Sequence, residues 1–567
     1  MQPAAADGGP STHGAIRLTI AAIALLLALQ FALIFTRAVN WDEFFFYGQV
    51  AQFARGQLPT PLQTIHVHAF QWLLALPGST VDHILAARIP MFGFELVTLG
   101  VIYALARRFT DPLVSALAVL AYLSAGYVLQ HGMSFRVDPP VTASLVVALA
   151  VLARAPLRWW SVLLTGALIG LAGMITIKAV LYAPAFLGMA WLRWAEAGRD
   201  RATGLRIAAI GLAALAIFAA LYLWHAAAIA ASAAPLAQAA SAPSPTVPDT
   251  GAQAGAVLNR SASDMFFIGV PPYWRMIVKA ASLAPLFALL ILTAPLAIAR
   301  SGLSRAAKWA LAGLWMPVLT LALYRNSAGY FYVFLLPPLA IAASCGLDWL
   351  RSRFGALPVI AVMLAIALAT WASDDRKVLA SQQSVTDAAQ RMFPQGTAYF
   401  DHSGMIGSFR KANGFMTPWG IEQYRRAGTN SYRAAMETQT VPLLIENDIM
   451  VTAALTGGDR TAILLPEDAR AWRENYVRYW GTIWLAGKSL PAGSAIDSEF
   501  LIPGRYRVEG HDVSVDGVPH EAGDIVTIAR GMYLLANGSK RPARLVWADI
   551  ADPPQGKAPQ GDLWLGY

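Results

Sequence analysis

Two adjacent carboxylates, Asp42 and Glu43, stand in the segment Asn40-Trp41-Asp42-Glu43-Phe44-Phe45-Phe46-Tyr47, just after an apolar run of membrane length. A carboxylate in that place can accept a proton from a hydroxyl, or it can cap a helix and mark the membrane edge. From here to about Gly56 the spacing is helical, with Phe46, Val50, Phe53 and Ala54 on one face and Gln49, Gln52 and Arg55 off it. That pattern predicts an amphipathic helix lying in the interface. Further charges recur in similar settings. Ser134-Phe135-Arg136-Val137-Asp138-Pro139-Pro140 puts a base and an acid in one loop, Lys178 interrupts apolar sequence, and Arg325-Asn326 precedes Tyr330-Phe331-Tyr332. Charges at this depth are costly and tend to mark a site or its entrance, although Lys178 could instead snorkel from a helix end and Arg325 could be an ordinary boundary residue.

Histidines offer a second kind of chemistry. His66 and His68 flank Val67, and His131 begins the next outward loop. An i, i+2 pair shares a face only in extended chain, and a metal needs further ligands. They are read as interfacial groups, with a divalent ion left open.

These residues need elements that hold them at one level. The chain has 567 residues, is 56% hydrophobic and 14% charged, and its 43 basic and 34 acidic residues leave a formal charge of +9. A mean hydropathy of +0.48 is too high for an ordinary soluble enzyme and excludes a disordered chain. The basic residues sit between apolar runs and form no patch with interleaved aromatics, so nucleic acid is not an expected partner. A single cysteine, Cys345, excludes a disulfide framework and thiolate metal sites. The sequence has no Gly-x-Ser-x-Gly, no phosphate-cradling Gly-Lys-Ser/Thr loop and no His-Glu-x-x-His, which removes ATP-driven transport and common hydrolase chemistry.

Apolar runs at 16–35, 84–106, 113–129, 140–153, 162–177, 179–192, 207–230, 277–298, 307–324, 330–347 and 357–371 predict about eleven spans, the first uncleaved. Clusters at Arg107/Arg108, Arg154/Arg158, Arg193/Arg199/Arg201/Arg206, Arg300/Arg305/Lys308 and Arg351/Arg353 fall on alternate loops and set those loops, with the N-terminus, inside. Four segments then face outward: 37–83, 131–139, 231–276, and everything after about Ser373. The Ala/Ser/Pro-rich stretch 233–250 reads as flexible, and the aromatic run 266–274 as an interfacial anchor or a lid over a lipid tail. The expected fold is therefore mainly α, a polytopic membrane domain at 1–372 followed by a soluble, extracytoplasmic α+β domain at 373–567.

In that second region Ser384-x-x-Asp387 reads as a capping box opening a helix that stops at Pro394, and Pro466-Glu467-Asp468 opens another that runs to Trp480. Tyr506/Val508, Val513/Val515, 525–528 and 532–535 read as strands, with Asp516-Gly517 a two-residue hairpin turn. Trp419, Trp472, Trp480 and Trp484 are core aromatics by default, or platforms for sugar rings. Asp374-Asp375 reads as a solvated helix end.

Taken by order and by side of the membrane, four features resemble the GT-C glycosyltransferases over roughly residues 1–350. They are the acidic pair after the first span, Arg136-x-Asp138, Lys178 in Thr176-Ile177-Lys178, and Tyr330-Phe331-Tyr332-Val333-Phe334-Leu335-Leu336-Pro337-Pro338. The likeness is above all to the branch with the aminoarabinose transferases of lipid A and the protein O-mannosyltransferases. The Thr-Lys-Gly-Pro common in the aminoarabinose branch reads Ile177-Lys178-Ala179-Val180 here, a departure that bears on the substrate more than on the reaction class.

The resemblance implies transfer of a sugar from a polyprenyl-phosphate donor to a lipid, glycan or protein acceptor on the outer side of the membrane, with inversion. On that reading Asp42 is the general base, and Glu43 orients the acceptor or tunes Asp42. Lys178, Arg325, Arg136 and the Tyr330 hydroxyl would meet the donor phosphate, and Asp138 and Tyr332 the sugar, or Asp138 would hold Arg136. A secondary transporter or flippase is the alternative, for which ionisable groups at mid-bilayer and repeated halves would be expected. A membrane-anchored sugar-binding protein is a third, in which Asp42 would not matter.

Overall fold

The computed structural model describes residues 10–239, 271, 273–413, 418–457, 463–559 and 563–565. Residues 240–270 and 272 therefore place most of the expected flexible stretch and aromatic run outside the described residues, as is the Trp419 side chain. The first part is helical: α1 (Pro10–Thr36), α2 (Trp41–Ala54), α3 (Val67–Phe70), α4 (Thr80–Ala106), α5 (Pro112–Leu123), α6 (Gly126–His131), α7 (Asp138–Arg154) and α8 (Trp159–Ile175). There follow α9 (Ala183–Glu196), α10 (Arg201–Ala239), α11 (Trp274–Ser282), α12 (Pro285–Arg300), α13 (Arg305–Trp315), α14 (Phe331–Ala342), α15 (Ser344–Phe354) and α16 (Ala356–Ala372).

The chain is a multi-pass membrane protein. Among the described residues four helical stretches are long and apolar enough to cross a bilayer: His13–Thr36, Thr80–Ala106, Arg201–Ala234 and Ala356–Met392. The bent pairs α11/α12, at 108°, and α14/α15, at 59°, raise the number to six. The expected count of about eleven is not confirmed, because several apolar runs fold into shorter pieces. The run at 113–129 yields a 12-residue α5 followed by a break, and the runs near 179 and 316 contain 3-10 turns, Ile177–Tyr182 and Met316–Ala322. Such pieces fall short of the ~20 residues a spanning helix needs. Helix α10 runs to Ala239, so the region expected to be flexible from Ala233 begins as helix, alanine being the best helix former.

After α16 come α17 (Lys377–Met392), α18 (Pro418–Ala427), α19 (Ser431–Thr438), α20 (Ile449–Thr456) and α21 (Pro466–Asn475). Between and after them lie β1 (Ala398–Phe400), β2 (Arg410–Lys411), β3 (Leu443–Ile445), β4 (Tyr476–Trp480), β5 (Ile483–Leu490), β6 (Ser494–Phe500), β7 (Gly504–Glu509), β8 (Val513–Val515), β9 (Val518–His520), β10 (Ile525–Ile528), β11 (Gly531–Asn537) and β12 (Ala543–Trp547). One sheet runs β10-β7-β12-β5-β3-β1-β2, with β4 also on β5; a smaller one runs β6-β11-β8-β9. Strand β1 lies parallel to both β2 and β3, and the remaining pairings are antiparallel. The Asp516-Gly517 turn joins β8 to β9 with φ of 48° and 81°, the left-handed pair such a hairpin demands. The expected capping box at Ser384 is inside α17, which starts seven residues earlier at Lys377. The helix opened by Pro466 ends at Asn475, and the residues expected to extend it form β4, held against β5 by Tyr476 and Val477.

Two apolar cores result. One fills the helical bundle, with Leu26, Leu120, Phe331 and Leu339 fully buried. The other joins α2, α4 and the segment between them to the sheet, through Phe44, Tyr47, Val67, Met91, Phe400, Leu444 and Trp472. Helix α2 is thus not an interfacial helix with an apolar face turned to lipid. It buries Phe44, Tyr47, Val50 and Phe53 against protein, while Ala54 is exposed. Gly407 marks how close the approach is: a Cβ there would lie 2.4 Å from the Tyr47 ring. Gln382 on α17 fastens the same junction, accepting from the Val39 N–H and donating to the Val39 carbonyl, both at 2.8 Å.

Candidate active site

The acidic pair divides at the start of α2. Asn40 is the N-cap: its side chain accepts from the Asp42 N–H at 3.0 Å, and its own N–H donates to Glu43 Oε2 at 2.8 Å. That reciprocal arrangement is a capping box, and it sets the chain direction that separates the two carboxylates. Glu43 is fully buried. It accepts from Arg88 Nε at 2.8 Å and Nη2 at 2.6 Å, and from the Phe135 N–H at 2.7 Å. Arg88 in turn donates to the carbonyls of Ile34, Arg37 and Ala38. Burial alone would push the Glu43 carboxyl up, but the Arg88 charge and the hydrogen bonds from Arg88, Asn40 and Phe135 together hold it below the usual carboxylate range. The hydrogen-bond partners of Glu43 are thus Arg88 and the Asn40 and Phe135 N–H groups. Arg88 was not singled out from sequence, although a lone arginine inside the apolar run 84–106 is itself a signal that a buried acid must answer it.

Asp42 has a different setting. Its side chain is 13% exposed and is ion-paired with Arg136. From there a chain of alternating charge continues: Arg136 Nε lies 3.2 Å from Asp138 Oδ2, and Lys178 donates to Asp138 Oδ1. The Arg136 guanidinium sits 3.3 Å from the centroid of the Tyr330 ring, and the Lys178 ammonium 5.9 Å from the same ring. The Tyr330 hydroxyl donates to Asn326 at 2.8 Å. Local structure explains each placement. Asp138 opens α7 with Pro139 behind it; Lys178 follows a break at Thr176, whose side chain accepts from the Lys178 N–H; Tyr330 caps α14. Five residues singled out from sequence, Asp42, Arg136, Asp138, Lys178 and Tyr330, thus come together. Two acids and two bases balance, so the cluster is electrically satisfied as it stands and can exchange partners with an incoming anion.

Arg325 lies on the loop just before Tyr330 and is half-buried. Tyr273 is within electrostatic reach of both Arg325 and Asp42, which puts that arginine on the same side of the cluster. Tyr332 is not brought to the cluster. Two residues along α14 from Tyr330, it packs its ring 5.3 Å from Tyr127 and lines an apolar cavity of about 180 Å³ with Ala280, Phe287 and Leu335. Asp374 is not solvated, as its position after a span suggested; it is buried and ion-paired with Arg37.

The histidines part company. His66 Nε2 faces the Phe46 carbonyl at 3.4 Å, and burial pushes its imidazole down to about 4. His68 meets His225 at 2.8 Å, and His225 meets Thr64 at 2.9 Å. Among the described residues no group of three histidine, cysteine, aspartate or glutamate side chains is arranged to hold a metal ion.

The C-terminal region reaches the site as well. The rings of Trp41 and His402 lie 5.7 Å apart, and His402 follows β1 next to Asp401. Asp401 is fully buried, accepts from the Gly404 and Met405 N–H groups, and is tied to Asn447 after β3. Nothing in the sequence pattern pointed to Asp401 or His402, because they follow a three-residue strand whose parallel pairing leaves no local signal.

Residues 66–224 match the family described as dolichyl-phosphate-mannose-protein mannosyltransferase. That stretch holds Arg136, Asp138 and Lys178 of the cluster. Among solved structures, ArnT from Cupriavidus metallidurans bound to undecaprenyl phosphate is 13% identical with a TM-score of 0.50, covering 78% of this chain and 95% of that one. The Archaeoglobus fulgidus oligosaccharyltransferase tethered with an acceptor peptide is 10% identical with a TM-score of 0.51, covering 93% of this chain and 96% of that one. The same archaeal enzyme complexed with Zn and sulfate is 11% identical with a TM-score of 0.50, covering 92% and 96%. At these identities the likeness is one of fold. A search of curated proteins finds no match.

Proposed function

We propose that the chain is a GT-C-type glycosyltransferase, like ArnT in fold and matched over residues 66–224 by the protein mannosyltransferase family, and that it moves a sugar from a polyprenyl-phosphate carrier to an envelope lipid, glycan or protein. The observation that carries the reading is the Asp42–Arg136–Asp138–Lys178 chain of charges beneath Tyr330. The undecaprenyl phosphate in ArnT and the acceptor peptide on the archaeal enzyme support the two substrate classes.

The acceptor hydroxyl gives its proton to Asp42 as its oxygen attacks the anomeric carbon from the face opposite the phosphate. The bond from that carbon to the phosphate oxygen breaks, the electron pair leaves with the polyprenyl phosphate, and the sugar is inverted. Lys178 and Arg136, with Arg325 at the edge, meet the growing negative charge. As the phosphate draws Arg136 towards itself, Asp42 loses its partner and can accept from the acceptor instead. Asp138 holds the two bases in place between turnovers. Glu43 fixes the helix on which Asp42 rides. The charge alternation of the loops supports an outer-face site at the plasma membrane, with residues 373–567 as an extracytoplasmic domain. The test is to incubate purified protein with polyprenyl-phosphate sugars and extracted envelope acceptors, and to read product configuration by NMR. An inverted glycoside with release of polyprenyl phosphate is expected; a retained configuration overturns the direct displacement, and no consumption of any donor overturns the transfer.

A further inference from the structure

Between α2 and the first strands of the C-terminal sheet lies a cavity of about 160 Å³, apart from the Asp42 cluster. Its α2 wall is Phe45, Gly48, Gln52 and Arg55, and its opposite wall includes Arg410 and Lys411. Among the described residues three cations face it and no carboxylate lines it. The nearest acid is Asp401, behind the wall, 3.4 Å from the Lys411 ammonium, which also donates to the His402 carbonyl at 2.7 Å. Lys411 is thereby anchored at the cavity wall by Asp401 and the His402 carbonyl. Arg55 is braced by one side of its guanidinium, through Nη1 to the Gly407 carbonyl at 3.0 Å and Nε to Gln57 at 3.3 Å. Its Nη2 has no hydrogen-bond partner among the described residues. Arg410 is exposed, and among the described residues no acid pairs with it.

A surplus of about two positive charges in a partly enclosed space selects anions, because the low-dielectric walls concentrate the field. Guanidinium groups with open N–H donors match carboxylate and phosphate oxygens. Position says which anion. Phe45 is one turn beyond Asp42 on the same helix and Arg55 is thirteen residues beyond it, so at ~1.5 Å per residue the cavity runs from roughly 5 to 20 Å past the proposed base. A molecule with its nucleophile at Asp42 can lay a distal group there.

We infer that this cavity binds a phosphate or carboxylate of the acceptor, so that the enzyme selects anionic acceptors over neutral ones. The inference rests on the acceptor hydroxyl meeting Asp42, as proposed above. It is tested by binding alone, with the full-length protein in detergent at fixed ionic strength. The probes are glycerol 3-phosphate for a headgroup phosphate, glucuronate for a glycan carboxylate, and glycerol and glucose as neutral counterparts. Saturable binding of one charged probe, weakened by about tenfold or more in Arg410→Gln and further in Arg410→Gln/Lys411→Gln, is expected. The probe that binds more tightly names the source. Arg410 is on the surface, so its variant keeps the test valid if loss of Lys411 disturbs Asp401. Asp42→Asn should bind the probes as the wild type does, which separates failure of the base assignment from failure of this one. Charged probes that bind no better than the neutral ones, or equally well to the wild type and Arg410→Gln, overturn the inference.

Discussion

Asp42 and Glu43 are neighbours of the same chemistry with different tasks, and the difference comes from what each carboxylate touches. Glu43 is sealed against Arg88 and two backbone N–H groups, while Asp42 keeps some exposure and is ion-paired with Arg136, which it shares with Asp138. Removing one member of a buried pair strands the other, so Glu43→Gln and Arg88→Met should each destabilise the protein by about 3–5 kcal/mol. Thermal melts in detergent check this, with the expectation that Asp42→Asn melts close to the wild type. Lys178→Gln should lower kcat more than it raises KM, because its charge meets the negative charge that grows on the phosphate as the bond breaks. His66 supplies a pH signature. Its imidazole is held at about 4 against a usual 6.5, so in the acid range the unfolded chain binds a proton that the folded one refuses. Stability should fall as pH drops from about 6.5 to about 4, and His66→Asn should flatten that part of the melting-temperature profile.

At the scale of elements, the site depends on how α2 is clamped. The sequence showed this helix through its spacing to Gly56, and it occupies Trp41–Ala54, although the cap read onto the carboxylates is supplied by Asn40. What covers it was not legible. The face of Phe46, Val50, Phe53 and Ala54 was assigned to the membrane interface, yet Val50 and Phe53 join Phe44 and Tyr47 in a core that includes residues more than three hundred positions away, and no local pattern encodes such packing. Ser384 misled for a related reason: a serine three residues before an acid reads as a cap even when α17 simply passes through it. The clamp can be tested at Gly407. Its Cβ position collides with the Tyr47 ring, so Gly407→Ala should cost about 1–3 kcal/mol and lower the rate of transfer by displacing α2, without touching a charged group. Melting temperature and turnover should decline together.

For the whole molecule, composition told of a membrane protein and order told of the charge cluster, because Asp42, Arg136, Asp138, Lys178 and Tyr330 each stand at the end of an apolar run. Tyr332 failed to join them, since two residues of helix turn a side chain to the far side, and the motif alone does not say which tyrosine faces the acids. The span count failed because apolar runs broken at Thr176 or Pro317 read continuously as hydropathy but fold as short helices and 3-10 turns. The second core is the larger lesson. It joins the segment carrying Asp42 to the C-terminal sheet, so the proposed base and the proposed anion site are parts of one body. If Asp42 takes the acceptor proton, the steady-state rate of polyprenyl-phosphate release by purified Asp42→Asn should fall about 10²–10⁴-fold below the wild type at an unchanged melting temperature; release by Asp42→Asn at the wild-type rate would remove Asp42 from that role.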